Sequence, residues 1–161
     1  MAVACRTADL YDEHTTMVKV LTPMFRSYGG VAAFHGEIAT VKVYEDNKLV
    51  REALDNDGKG KVLVIDGGAS LRTALVGDKL AQLALDNHWA GIIVNGCIRD
   101  ASDIKKIAIG IRALNTNPAR PTKNGTGEIR IPVSFGGVTM TPGEHIYADE
   151  DGILVSKIRL T

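Results

Sequence analysis

Residues 61–65 (KVLVI) and 91–94 (GIIV) are two short apolar runs with no polar alternation. Such a run reads as a strand covered on both faces, because a strand with one wet face alternates apolar and polar residues. Between them, residues 78–89 place Leu80, Leu83, Ala84 and Leu85 on one helical face. Strand, loop, helix, strand is a βαβ unit, which predicts two parallel strands joined by a right-handed crossover. The chain is therefore committed to an α/β sheet with helices packed on it.

The remaining elements arrange themselves around that unit. Residues 7–14 predict a short helix, with Thr7 as cap and Asp9, Asp12 and Glu13 near its positive end. Residues 38–44 (IATVKVY) predict a β-branched strand, and residues 47–56 predict a helix with Leu49, Val50, Ala53 and Leu54 at helical spacing, ended by Asp57-Gly58. Residues 115–127 (NTNPARPTKNGTG) read as a polar surface loop, and short β-like pieces follow at 129–135, 144–149 and 152–160. There is an internal echo. Ser27-Tyr28-Gly29-Gly30-Val31 with Gly36-Glu37 recurs at a constant offset as Ser134-Phe135-Gly136-Gly137-Val138 with Gly143-Glu144. It is either a coincidence of glycine turns or a pair of pseudo-equivalent turn units.

At 161 residues the chain fits one domain, 1–161. Nineteen Lys and Arg balance nineteen Asp and Glu, which argues against a protein that tracks nucleic-acid phosphates directly. No run approaches the ~18 apolar residues of a membrane span, and the N-terminus lacks the apolar stretch of a signal peptide. Two cysteines, Cys5 and Cys97, make no disulfide framework. These features predict a soluble, cytoplasmic protein.

The chemistry-bearing residues follow the two apolar strands. Ligands of parallel sheets collect beyond the carboxyl ends of the strands. The first strand leads through Asp66-Gly67-Gly68-Ala69-Ser70 to the helix start Gly77-Asp78-Lys79-Leu80. The second leads to Asn95-Gly96-Cys97-Ile98-Arg99-Asp100. Both should share one rim. The amides of residues 77–80 offer a site for a carboxylate or phosphate; equally, Asp78 could simply cap its own helix. Arg99 and Asp100 can divide one task, the guanidinium holding an anionic oxygen and the carboxylate a hard cation such as Mg²⁺ or Mn²⁺. Asp103, one turn on, could face the same way. The bland alternative is a surface salt bridge with Asp100 or Ser102 as a cap.

The spacing Asp78, twenty residues, Arg99-Asp100, two residues, Asp103 resembles the signature of the aldolases of the RraA-like family. The chain resembles that family along nearly its whole length, through TADLYDEH, YGGVAAFHGEIATVKV, VLVIDGGASLRTALVGDKLA, GIIVNGCIRD and VSFGGVTMTPGEHIYADEDGILVS. The family includes the regulator of ribonuclease E activity A and class II 4-hydroxy-4-methyl-2-oxoglutarate (HMG) aldolases. The resemblance implies a single-domain α/β/β sandwich related to swivelling phosphohistidine domains, assembled as a homotrimer or a pair of trimers. It implies a divalent metal, Mg²⁺ or Mn²⁺, held directly by Asp100, with Asp103 supporting its water shell. The substrate implied is a small 2-oxo dicarboxylic acid, its pyruvyl carboxylate on the amides of Gly77, Asp78, Lys79 and Leu80. Metal and Arg99 would stabilise the pyruvate enolate left by carbon–carbon cleavage, and Asp78 would order the water that takes the hydroxyl proton. Oxaloacetate decarboxylation would use the same site. The alternative that the resemblance carries is a non-catalytic regulator that binds and inhibits ribonuclease E.

Other reactive residue types read as structural. His14, His35, His88 and His145 lack metal-ligand spacing, and Gly29-Gly30 to His35 lacks the pattern of a phosphorylated histidine. Cys97 reads as a buried small hydrophobe, and Ser70 lacks a nucleophile elbow. Gly58-Lys59-Gly60-Lys61 lacks Walker spacing. Arg120 and Lys123 read as members of a solvated loop rather than as substrate contacts, and Trp89 as packing at a helix end.

Overall fold

The computed structural model describes residues 5–161. The first four residues of the N-terminus, read above as lacking an apolar run, lie outside them. The elements are α1 (Thr7–Glu13), β1 (Val18–Val20), β2 (Arg26–Ser27), β3 (Phe34–Lys42), α2 (Lys48–Leu54), β4 (Lys61–Asp66), β5 (Ala74–Val76) and α3 (Asp78–Asp86). They continue as β6 (Gly91–Ile98), α4 (Ala101–Ile104), β7 (Gly110–Thr116), β8 (Glu128–Ile129), β9 (Val133–Phe135), β10 (Val138–Met140), β11 (His145–Ala148) and β12 (Ile153–Ser156).

Ten strands form one mixed sheet along the path β1-β12-β11-β3-β4-β6-β7-β2, with β5 beside β6 and β8 beside β3. Its centre is parallel (β3–β4, β4–β6, β6–β7) and its flanks antiparallel. The βαβ unit is present as expected. Successive residues of the central strands point into different cores, which is why these runs carry no polar alternation. Leu63, Ile65, Ile92 and Val94 pack with Val50, Leu54, Ala81 and Ile104 of the helices. Val62, Val64 and Ile93 pack on the opposite side with Val133, Phe135, Val138 and Met140 of the β9–β10 hairpin. Helices, sheet and hairpin thus stack as α/β/β layers. A smaller cluster of Cys5, Leu10, Val18, Tyr147 and Leu154 seats α1 on the antiparallel flank.

Several local expectations need correction. Thr7 does not cap α1; its amide and hydroxyl donate to the Asp149 carboxylate at 2.8 and 2.6 Å, tying the helix to the turn after β11. The two echoing glycine pairs do different jobs. Gly136 and Gly137 have φ of +60° and +77° and make the β9–β10 turn, whereas a Cβ at Gly29 would lie 1.9 Å from the Ile109 carbonyl oxygen. The strands β1, β2, β5, β7 and β10 lie outside the segments that the sequence marks as β.

The segment 115–127 is far more organised than a free loop. Asp46, 1% exposed, sits just before α2. One of its carboxylate oxygens accepts the Thr122 hydroxyl (2.8 Å) and the Asn124 amide (2.6 Å). The other accepts the amides of Gly125 (3.2 Å) and Lys48 (3.1 Å). Burial alone would raise the Asp46 pKa, but these donors outweigh it and hold the carboxyl below its ordinary range. Farther along, the Ala74 amide donates to the Ala119 carbonyl at 2.8 Å and Asn117 Nδ2 to the Leu71 carbonyl at 2.7 Å. The loop is therefore pinned across the carboxyl ends of the central strands.

Two predictions follow from this packing. The Phe34 ring lies against both Gly91 and Gly110, where a Cβ would come within 2.2 and 2.0 Å of ring carbons. Gly110→Ala should cost about 1–3 kcal/mol in urea unfolding through overpacking. For Asp46, a pKa depressed in the folded state adds stability that is present above the unfolded value of about 3.9 and is lost as pH falls through the folded value. The stability gap between the native chain and Asp46→Asn should be constant near neutrality and close on acidification below that value. A gap independent of pH down to acid unfolding would contradict the assignment.

Candidate active site

β5 creates the juxtaposition on which the site depends. β4 pairs with β6 only as far as Asp66 opposite Asn95. β6 then runs on to Ile98, and β5 takes the vacated place, with Ala74 opposite Cys97 and Val76 opposite Ile98. The Arg99 amide closes this pairing on the Val76 carbonyl at 3.0 Å. The next residues on the two strands, Gly77-Asp78 and Arg99-Asp100, are thereby placed side by side.

Asp100 has φ +58° and ψ 40°, a left-handed conformation that costs a non-glycine residue of order 1 kcal/mol. Its carboxylate does not cap α4. Instead Oδ2 accepts the Asp78 amide at 3.1 Å, at the start of α3. Gly77 makes this approach possible: a Cβ there would lie 2.8 Å from Asp100 Oδ2. The first bond of the α3 ladder runs from the Ala81 amide to the Gly77 carbonyl, so the amides of Asp78, Lys79 and Leu80 precede it. Asp100 uses the first of these three. Half-buried Arg99 reaches over the rim, its Nη1 donating to the Pro118 carbonyl at 3.3 Å.

These residues line a cavity of about 270 Å³ that includes Gly77, Asp78, Lys79, Leu80, Arg99 and Asp100. Six of the seven expected site residues are thus brought together. Asp103 is exposed in the first turn of α4 and is not among the residues lining this cavity. The same cavity is also lined by Lys48 and Arg51 of α2 and by Arg120 and Lys123 of the pinned loop. Reading 115–127 as a solvated loop left out Arg120 and Lys123; two basic residues in a Pro-containing segment were the available signal, but their placement depends on the loop that Asp46 holds. A larger groove of about 530 Å³ runs along β3 past Trp89 and contains neither Arg99 nor Asp100.

The donor set fits a hard cation. Among the described residues no three His, Cys, Asp or Glu side chains gather as a metal cage. Asp100 and Asp78 supply oxygen donors only, without sulfur or imidazole, in a cradle that a side chain at Gly77 would fill. One or two carboxylates completed by water is how Mg²⁺ is commonly held, and Mn²⁺ favours similar ligands.

The residues set aside from chemistry have other engagements. The Ser70 hydroxyl donates to Glu45 at 2.6 Å, and Arg72 forms a bidentate pair with the same carboxylate. Cys97 is buried within β6, where desolvation pushes its thiol pKa up. His35 stacks on Tyr147 with ring centroids 5.4 Å apart. The Trp89 indole donates to the Asn56 carbonyl at 3.1 Å.

The family model for RraA-like proteins, described as Aldolase/RraA, matches residues 7–155. An inferred HMG aldolase of Dechloromonas aromatica is 58% identical over 160 residues, covering 97% of this chain and 98% of its own. A second, from Aromatoleum aromaticum, is 57% identical over 155 residues, covering 96% and 98%. Among solved structures, one from Geobacillus kaustophilus named S-adenosylmethionine:2-dimethylmenaquinone methyltransferase superposes with a TM-score of 0.95 at 47% identity, covering 96% of each chain. The RNA-processing inhibitor RraA of a Thermus species superposes with a TM-score of 0.94 at 42% identity, covering 100% of this chain and 96% of that one. With the family model matching nearly the whole chain and the sequence and fold of these relatives in agreement, the chain belongs to the RraA-like family.

Proposed function

We propose that this protein is a divalent-metal-dependent lyase that cleaves HMG-type substrates to pyruvate, with oxaloacetate decarboxylation as a side activity. The observation that carries the reading is the placement of the Asp100 carboxylate 3.1 Å from the first amide of α3, beside Arg99, in a cavity with excess positive charge. The names of the relatives diverge, so the chemistry of this cavity decides between them. A methyl donor carrying a cationic sulfonium is poorly matched to walls bearing Lys48, Arg51, Lys79, Arg99, Arg120 and Lys123 against Asp78 and Asp100. An anionic 2-oxo acid is well matched.

Lys79 and Leu80 would hold the pyruvyl carboxylate through their backbone amides, where the helix start favours an anion. Gly77 keeps the approach to those amides open. Asp100, with Asp78 close by, would hold Mg²⁺ or Mn²⁺, and Asp103 would orient water around it from the exposed side. When bound, the cation supplies Lewis acidity at the 2-oxo group. Arg99 places its guanidinium where negative charge grows on the 2-oxo oxygen as the bond between C3 and C4 breaks. Asp78 orders a water that accepts the proton of the C4 hydroxyl. The electrons of the broken bond pass to the C3 side, giving pyruvate enolate, while the C4 side leaves as a second pyruvate. Protonation of the enolate at C3 completes the balance. With oxaloacetate, the same bond position breaks, carbon dioxide leaves and the same enolate is protonated. Assembly as a trimer or pair of trimers belongs to this proposal.

A second reading rests on the likeness to the RNA-processing inhibitor: the chain binds a ribonuclease E-type partner through its surface. Binding that survives loss of Asp100 would mark this as a role separate from catalysis. Among the described residues no helix is long and apolar enough to cross a membrane.

The test is pyruvate release from HMG and from oxaloacetate with Mg²⁺ or Mn²⁺. EDTA should reduce the rate to background. Asp100→Asn keeps a side chain that tolerates the left-handed backbone, and should lower kcat by about 10²-fold or more with the melting temperature little changed. Arg99→Ala should cost a similar factor. A wild-type rate no greater than that of free metal would overturn the lyase reading.

A further inference from the structure

Resting on the reading of Arg99 as the group that meets growing negative charge, a further inference concerns what holds its guanidinium in place. Arg99 lines two cavities, the one at the start of α3 and another of about 320 Å³ bounded by Asp100, Thr116, Asn117 and Pro118. Gly77 does not clamp the stem: even an added Cβ there would lie 3.5 Å from Arg99 Cγ and 3.6 Å from Nε. Among the described residues no carboxylate lies within 4.0 Å of the guanidinium; the ion pairs there are Arg6–Asp9, His14–Glu13, Arg72–Glu45 and His88–Asp57. A long side chain with open space beside it loses rotamer freedom when fixed, so a specific contact has to set its place. Among the described residues the guanidinium makes one hydrogen bond, from Nη1 to the Pro118 carbonyl at 3.3 Å.

The direction of that carbonyl is set by Asn117. The Pro118 carbonyl and the Ala119 amide belong to one planar trans peptide unit, in which C=O and N–H point in opposite directions. Asn117 Oδ1 accepts that Ala119 amide at 2.8 Å, a side-chain turn closed two residues on. Asn117 therefore grips the peptide plane by the edge opposite the one that receives Arg99. Its own place is anchored twice. Nδ2 donates to the Leu71 carbonyl at 2.7 Å, and the Asn117 amide donates to the Ile98 carbonyl at 3.0 Å. The Ala119 carbonyl accepts the Ala74 amide at 2.8 Å, which fixes the far end of the turn. Ile98 and Ala74 belong to β6 and β5, the paired strands that lead to Arg99 and Gly77. We infer that Asn117 is a positioning residue for Arg99: it orients the Pro118 carbonyl, and the carbonyl holds the guanidinium ready for an anion beside Asp100. The amide side chain suits this task because it accepts from Ala119 and donates to Leu71 at once.

The experiment is a double-mutant cycle read by calorimetry of oxalate binding to the full chain with Mg²⁺ present. Oxalate is a planar dianion with the geometry of pyruvate enolate and undergoes no turnover. Asn117→Ala should weaken oxalate binding about tenfold and Arg99→Ala by at least as much, the scale of a charge-assisted hydrogen bond. In the Arg99→Ala background, Asn117→Ala should change the affinity by less than about twofold, because a residue that acts through Arg99 then has nothing to act on. Asn117→Ser keeps a side-chain acceptor for the Ala119 amide and should recover part of the loss. It also carries the same cycle if the alanine variant melts early. A loss of the same size in both backgrounds, as general loosening of the loop would give, would overturn the inference. So would an affinity unmoved by Asn117→Ala, or a native chain that binds no oxalate. Pyruvate release from HMG is measured in parallel. Its absence would sink the lyase reading while leaving the oxalate cycle to decide the role of Asn117.

Discussion

The site hangs on the pairing of Val76 with Ile98, where β5 replaces β4 beside the last turns of β6. β6 is buried along its whole length, so its register is fixed by packing on both faces. A short strand docked on that fixed rail inherits its precision. Gly77-Asp78 and Arg99-Asp100 then leave the sheet from neighbouring strands in the same direction. The Asp78 amide and the Asp100 carboxylate meet at 3.1 Å because the sheet places them, and not because either loop is rigid in isolation.

Local cost is concentrated at the same place. Asp100 is held in a left-handed conformation, and its side chain is turned from α4, which it precedes, toward the start of α3. A conformation of this kind persists only where the surrounding structure over-determines it. Here the Arg99 amide bonded to Val76 and the α4 turn bonded to the Asp100 carbonyl supply that constraint. Asp46 plays the complementary part, holding the loop with three hydrogen bonds, to Thr122, Asn124 and Gly125, and the start of α2 with a fourth, to Lys48. Away from the site, the buried Arg112 guanidinium is solvated by the Ser27 hydroxyl and the carbonyls of Ala32 and Asp149, and lies over the Phe34 ring. It ties β7 to β2 and to the turn between β11 and β12.

What could be read from the residues alone divides by the range of the interactions involved. The runs KVLVI and GIIV revealed doubly covered strands because burial on both faces leaves a local imprint on composition. The spacing from Asp78 to Arg99-Asp100 revealed the rim because the βαβ connection makes sequence distance a guide to space. Residues 74–76 gave little sign of a strand, since three residues have no period and their partner lies beyond the next helix. Asp46 was equally silent: a single acid before a helix looks like a cap, and its partners Thr122, Asn124 and Gly125 lie far along the chain. For the same reason Arg120 and Lys123 read as solvated residues, although the fold brings them into the lining of the same cavity as Arg99. Thr7 was mistaken for a cap because its acceptor, Asp149, comes from the far end of the sequence.

The central claim is that this rim generates pyruvate enolate. The most direct measurement is exchange of the methyl protons of pyruvate for deuterium in D₂O, followed by proton NMR with Mg²⁺ or Mn²⁺. It requires neither an aldol substrate nor a leaving group. The account predicts exchange well above that of free metal, lost on addition of EDTA and in Asp100→Asn. Exchange no faster than with metal alone, by a protein shown to be folded, would contradict it.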